Sequence, residues 1–227
     1  MIAAAPSEVF LEFDVNGPDG GEDVYVGVEN ADLSPKGFAV FDFCRIESSV
    51  DGESIAAAAR AKLTASLGKM FDLPENSSAE NENKKVYLRC KTMSGETSLR
   101  TLGEYTEFSL ECAFRANDYD YSRARNGFGF RTACGENGFY ELRFNVPAKT
   151  LVFTSNFGGV TRELFRREDF FFTSLDFHNF RLETGKNSVL VWIDSGLFCE
   201  IPAPAKTGFA EVFMTDMDAS LNGLSVE

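Results

Sequence analysis

Glu107, Glu111 and Arg115 recur on one face of the run Glu107–Arg115, Arg131 follows in the next apolar run, and Glu141 and Arg143 stand in the third. On neighbouring strands such side chains come within cross-strand reach and form a grid of guanidinium forks and carboxylates. A grid of that kind hydrogen-bonds vicinal hydroxyls, since the fork donates and the carboxylate accepts. A solvated sheet face of exposed ion pairs, each worth little, would look the same. Between the first two runs lies Asn117-Asp118-Tyr119-Asp120-Tyr121-Ser122-Arg123-Ala124-Arg125. Tyrosine rings stack on sugar faces while Asp and Arg fix hydroxyls. Asp118, Tyr119, Tyr121 and Arg123 therefore join Arg131, Glu141 and Arg143 as the candidate ligand-binding set. A plain solvated connection is the other reading of that loop.

Catalytic signals are weaker. His178 is the single histidine, and His is the usual general base at neutral pH. It shares a strand face with Phe180 and Leu182, which is the place of a structural histidine. One histidine makes no His-based metal cluster, and no GxSxG nucleophile elbow is present. No catalytic residue is therefore expected. Asp14, Asn16, Asp19, Glu22 and Asp23 crowd one turn, and Asp216 and Asp218 another. Hard oxygen ligands in a turn suit Ca2+, although neither run has EF-hand spacing and turn chemistry explains both. No other cofactor is expected.

These residues need strands to position them. Phe108, Leu110, Cys112 and Phe114 alternate with polar residues, as do Phe128 and Phe130, and then Tyr140, Leu142, Phe144 and Val146. Period two is the signature of a half-buried strand, so Tyr105–Val146 reads as three antiparallel strands. The turn Gly135-Glu136-Asn137-Gly138 supplies the positive φ a hairpin needs. Earlier strands are expected at 8–15, 24–29 and 37–46. Next, ESIAAAARAKLTASLGKMF reads as one amphipathic helix ending at Gly68. The polar run from Pro74 to Lys85 reads as a loop or linker. Beyond it VYLRCKT, SLRTL, KTLVFTS, VTRELFR, HNFRLET, NSVLVWID, LFCEI, GFAEVFMTD and LNGLSVE read as strands, NSVLVWID being apolar on both faces.

Composition narrows the partners. A net charge of −13 opposes a nucleic-acid backbone or an anionic membrane surface. No apolar segment approaches the roughly 20 residues of a membrane span, and MIAAAPSEVFLEF does not read as a signal peptide. Five cysteines show no CxxC or zinc spacing, and a disulfide between Cys90 and Cys112 is open. Twenty-three phenylalanines against one tryptophan indicate where the core comes from.

The spacing of Phe108, Leu110, Phe114 and Arg115, then Asn126-Gly127-Phe128-Gly129-Phe130-Arg131, then Gly138-Phe139-Tyr140-Glu141-Leu142 resembles the concanavalin A-like jelly rolls. Within them it is nearest to the 3-keto-disaccharide hydrolase-type domain. Downstream, His178-Asn179-Phe180-Arg181 and Val191-Trp192-Ile193-Asp194 resemble later strands of that superfamily, with Phe177 and Ser195 departing from its pattern. The resemblance spans about residues 70–227. One glucanase branch carries paired carboxylates on a strand, and Glu12-Phe13-Asp14 opens like that motif, but Gly17 replaces its last Glu. The resemblance implies a mainly β fold, a concanavalin A-like β-sandwich (jelly roll) over 71–227. A short N-terminal α+β segment, 1–70, containing one helix, precedes it. The expected function is non-catalytic binding of a carbohydrate or similar polyhydroxylated ligand. A structural or adhesin subunit of a larger assembly, with a homo-oligomer or assembly partner, is one alternative, and a glycoside hydrolase or lyase is the other.

Overall fold

The computed structural model describes residues 52–82, 85–119, 125–170 and 176–227. The chain divides into two compact units, Met1–Ile55 and Ala56–Glu227. The strands expected at 8–15, 24–29 and 37–46, Cys44, the Glu12/Asp14 pair and the acidic turn Asp14–Asp23 lie outside the described residues.

Among the described residues one helix, α1 (Gly52–Leu67), precedes twelve strands. They are β1 (Phe71–Asp72), β2 (Ser77–Glu82), β3 (Lys85–Thr101), β4 (Phe108–Tyr119), β5 (Gly127–Gly135) and β6 (Gly138–Asn145). There follow β7 (Thr150–Phe157), β8 (Val160–Arg167), β9 (His178–Thr184), β10 (Ser188–Ile193), β11 (Gly196–Pro202) and β12 (Phe209–Val226). Alanine content and Glu53 in the first turn favour α1. It stops at Gly68, whose N–H donates to the Thr64 carbonyl at 2.9 Å. Leu67 at its end is buried in the core. No helix among the described residues is long and apolar enough to cross a membrane.

The polar run after Pro74 forms a strand where a loop was expected. β2 pairs with β3 from Ser77↔Cys90 to Glu82↔Lys85. It is a sheet edge with no buried residue, and a strand with neither face buried carries no periodic signal.

β3 and β12 organise the sandwich. They pair along most of their length, with a register shift between Thr215 and Met217. Each bends once there, at Gly95 (φ 98°) and Asp216 (φ 54°). On one side of this corner run β2-β3-β12-β4-β9-β10-β11, and on the other β1-β3-β12-β5-β6-β7-β8. An extra residue at a bulge is what lets a strand pair pass from one sheet to the next. The Gly95 N–H donates to Asp216 Oδ1 at 2.7 Å, and Asn126 Nδ2 donates to the Asp216 carbonyl at 3.0 Å. VYLRCKT and SLRTL are thus halves of one strand, as are GFAEVFMTD and LNGLSVE.

β4 and β5 do not pair. Both border β12, β4 along Met217–Val226 and β5 along Phe209–Thr215. The three strands expected as neighbours are therefore divided between the two sheets. Their apolar faces meet across the sandwich: Phe114 stacks on Phe128 at 3.5 Å between centroids, and Phe144 meets Phe180 edge-on at 5.0 Å. Phe108, Leu110, Phe114, Phe130, Tyr140, Leu142, Phe180, Leu182 and Val191 are buried as expected, and Ile193 is half-buried. Leu190 and Trp192 are also half-buried, so the second face of β10 is less covered than its sequence implies. Cys90 and Cys112 are buried and free, because β12 lies between their strands. Burial pushes both thiols up to about 12.

Candidate functional site

Arg131, Glu141 and Arg143 do come together, on the outer face of the second sheet. Alternation puts them opposite the core residues Phe130, Leu142 and Phe144, and register then sets the rest. Reading across β3, β12, β5, β6, β7 and β8, one row is Arg100, Glu211, Arg131, Glu141, Thr154, Glu163. The row beside it is Ser98, Phe213, Gly129, Arg143, Val152, Arg166. A third begins Glu96, Thr215, Gly127, Asn145.

The first row alternates in charge from strand to strand over its first four members. Arg131 Nε reaches Glu141 Oε2 at 2.8 Å, and its Nη1 reaches Glu96 Oε1 at 2.6 Å and Glu211 Oε2 at 3.4 Å. Arg143 Nε reaches Glu141 Oε1 at 2.9 Å and its Nη2 reaches Glu96 Oε2 at 3.2 Å. Glu141 and Glu96 thus each bridge the same two arginines, one oxygen apiece. Beneath them lies Phe213, fully buried although it points away from the core. The guanidiniums of Arg131 and Arg143 sit 4.1 and 4.6 Å over its ring. Gly129 makes room for it: a Cβ there would run into the Leu142 carbonyl and come within 2.9 Å of the Phe213 ring.

Electrostatics favour the charged forms of Glu96 and Arg131. Burial works against the Glu96 charge, but hydrogen bonds from and charges on Arg131 and Arg143 outweigh it and lower its pKa. Burial likewise works against the Arg131 charge, and the Glu96 and Glu141 carboxylates more than restore it. Among the described residues, each carboxyl whose pKa is displaced, Glu82, Glu96, Glu163, Asp194 and Asp218, is displaced downward. The grid is suited to hydrogen bonding between fixed charges.

The other candidates separate. Arg115 and Glu111 lie on β4 in the first sheet. Arg115 pairs with Glu82 at 2.7 Å and lies over Phe177 and Tyr87, at 4.7 and 5.5 Å. Glu111 stands opposite Arg181. Asp118 is at the end of β4 opposite Asp218, and the Tyr119 backbone is opposite Met217, both beyond the corner from the grid. Asp120, Tyr121 and Arg123 lie outside the described residues. His178 Nδ1 is 2.8 Å from Asp194 Oδ2. Asp194 Oδ1 also accepts the Asn179 N–H at 2.9 Å, so the pair ties β9 to the β10–β11 turn. Asp216 and Asp218 serve the corner and Arg89 respectively. Among the described residues no three His, Cys, Asp or Glu side chains gather as a metal site.

Sequence reasoning missed Glu96, Arg100, Glu211 and Phe213. Their alternation with Thr97, Leu99, Val212 and Met214 is legible, but nothing local says that β3 and β12 flank β5.

No protein-family model and no curated protein sequence matches the chain. Solved structures superpose on part of it. The carbohydrate binding module CBM66 from Bacillus subtilis superposes with a TM-score of 0.54 at 10% identity, over 67% of this chain and 92% of that one. The Bacillus licheniformis beta-glucanase gives 0.44 at 14% identity, over 68% and 75%. A homodimeric agglutinin from chicken liver gives 0.44 at 14%, over 58% and 100%. The chain shares the jelly-roll β-sandwich fold of the first of these.

Proposed function

We propose that the chain binds a carbohydrate or a similar polyhydroxylated ligand, without turning it over, on the outer face of β12, β5 and β6. The row Arg100, Glu211, Arg131, Glu141 carries this reading. It sets fixed donors and acceptors side by side at the strand spacing of about 4.8 Å, which suits a ring bearing hydroxyls on successive carbons. Arg131, Glu141 and Arg143 take the hydroxyls, while Glu96 and Glu211 orient the forks. Asp118 and Tyr119, at the end of β4 beyond the corner, stand apart from this face. The likeness to a module named for carbohydrate binding adds support by analogy of fold only.

A glycan array probed with the full chain is the test, with any hit then titrated. Arg131→Lys keeps the charge and removes the fork, and should weaken binding about tenfold, the size of one hydrogen bond to a charged group. Incubation with the bound glycan should release no new chain ends; release would make the protein a hydrolase or lyase. A folded chain with no hit on the array would overturn the reading, and a stable self-complex beside that result would favour an assembly subunit.

A further inference from the structure

We infer that this face accepts uncharged glycans and turns away acidic ones, and that Glu141 and Glu96 are the residues that enforce the choice; the inference rests on the binding reading above. Four arginines stand on the face, Arg100, Arg131, Arg143 and Arg166, among four glutamates, Glu96, Glu141, Glu163 and Glu211. Each arginine is ion-paired with at least one of these glutamates, and each glutamate with at least one arginine. The two central forks are the most completely held. Glu141 gives Oε2 to Arg131 and Oε1 to Arg143, and Glu96 gives Oε1 to Arg131 and Oε2 to Arg143.

A uronate or sulfate recognises a protein through such forks. Here each fork already has internal carboxylates in that role. An acidic sugar must displace one of them and leave it beside the ligand's own charge. Glu141 has a side chain only 15% exposed, so its displaced charge would stay poorly hydrated. Hydroxyl groups need no displacement, because they donate to the carboxylates' remaining lone pairs and accept from guanidinium N–H groups. Rejection by a built-in like charge is a recognised source of specificity. The chain's net charge of −13 adds repulsion of polyanions at longer range.

The experiment sets neutral and uronate oligosaccharides side by side on one array, at low and high salt, for the full-length wild type and Glu141→Gln. Wild-type hits should be confined to neutral glycans and change less than about twofold with salt, since no ion pair forms with the ligand. Glu141→Gln unties one carboxylate from both forks. It should acquire uronate hits at least about tenfold above wild type, and these should fade in high salt. If that variant loses its circular-dichroism strand signal, Glu96→Gln unties the other carboxylate and is expected to behave alike. Uronates bound by the wild type as well as neutral glycans would overturn the inference and leave the binding reading standing. A folded variant that acquires no uronate hit would also overturn it. Absence of any wild-type hit would overturn the binding reading itself.

Discussion

Asp218 accepts Nε and Nη2 of Arg89 at 2.8 and 2.6 Å and Nδ2 of Asn117 at 3.0 Å, with its side chain 4% exposed. The Arg89 hydrogen bonds lower its pKa and burial raises it; the first effect wins. A carboxyl whose folded pKa lies below its ordinary 3.8 adds stability that is complete above that value. The contribution disappears as pH falls through the lower, folded pKa. Asp218→Asn should therefore flatten the acid limb of a plot of thermal midpoint against pH. At neutral pH it should cost about 1–2 kcal/mol, a charged hydrogen bond discounted for the solvent reaching Arg89. An acid limb identical to wild type would show that the pair contributes nothing. In the sequence Asp216 and Asp218 look alike, two acids in one turn. The fold hands one to the Gly95 N–H and the other to an arginine 129 residues away, which no local pattern reveals.

At the scale of elements, turns are where sequence and structure agree most closely and where one residue is out of place. The β10–β11 hairpin turns on Asp194 and Ser195, at φ 49° and 68°. Positive φ at both central residues is the geometry that follows the twist of paired strands, and glycine meets it without strain. Asp194 compensates by holding the Asn179 N–H and His178. Ser195 has no such compensation among the hydrogen bonds of the turn. Ser195→Gly should raise the denaturation midpoint by the equivalent of about 0.5–1 kcal/mol, with the slope of the transition unchanged. A lower midpoint would mean that the serine hydroxyl contributes more than its backbone costs. Strand interiors with one buried face, such as β4, β6 and β9, were legible from alternation. β2 was not, having no buried face, and β3 and β12 each look like two strands because their corner residues resemble turn residues.

For the whole molecule, stability resides where the two sheets meet. Phe130 is 1% exposed and packs against Phe180 of the opposite sheet at 6.2 Å between centroids. Phe130→Ala should cost about 3–5 kcal/mol in a denaturant titration, as large truncations in a close-packed core do. A loss under about 1 kcal/mol would place Phe130 at a margin that can collapse around the deletion.

What the sequence determined by itself is what short-range chemistry determines. Alternation in Phe108–Phe114 and Tyr140–Val146 gave the buried faces, the alanine run gave α1, and the glycine-flanked turns gave the hairpins. That Arg131, Glu141 and Arg143 lie side by side was legible because β5 and β6 are joined by a tight turn, so neighbours in sequence are neighbours in space. Tertiary structure alone decided that β4 departs to the other sheet, taking Glu111 and Arg115 with it, and that Glu96 and Glu211 take their places. The physical reason is that strand pairing is set by which faces must be buried together across the sandwich. That requirement is satisfied between segments more than a hundred residues apart, and it leaves no mark on either segment's own pattern.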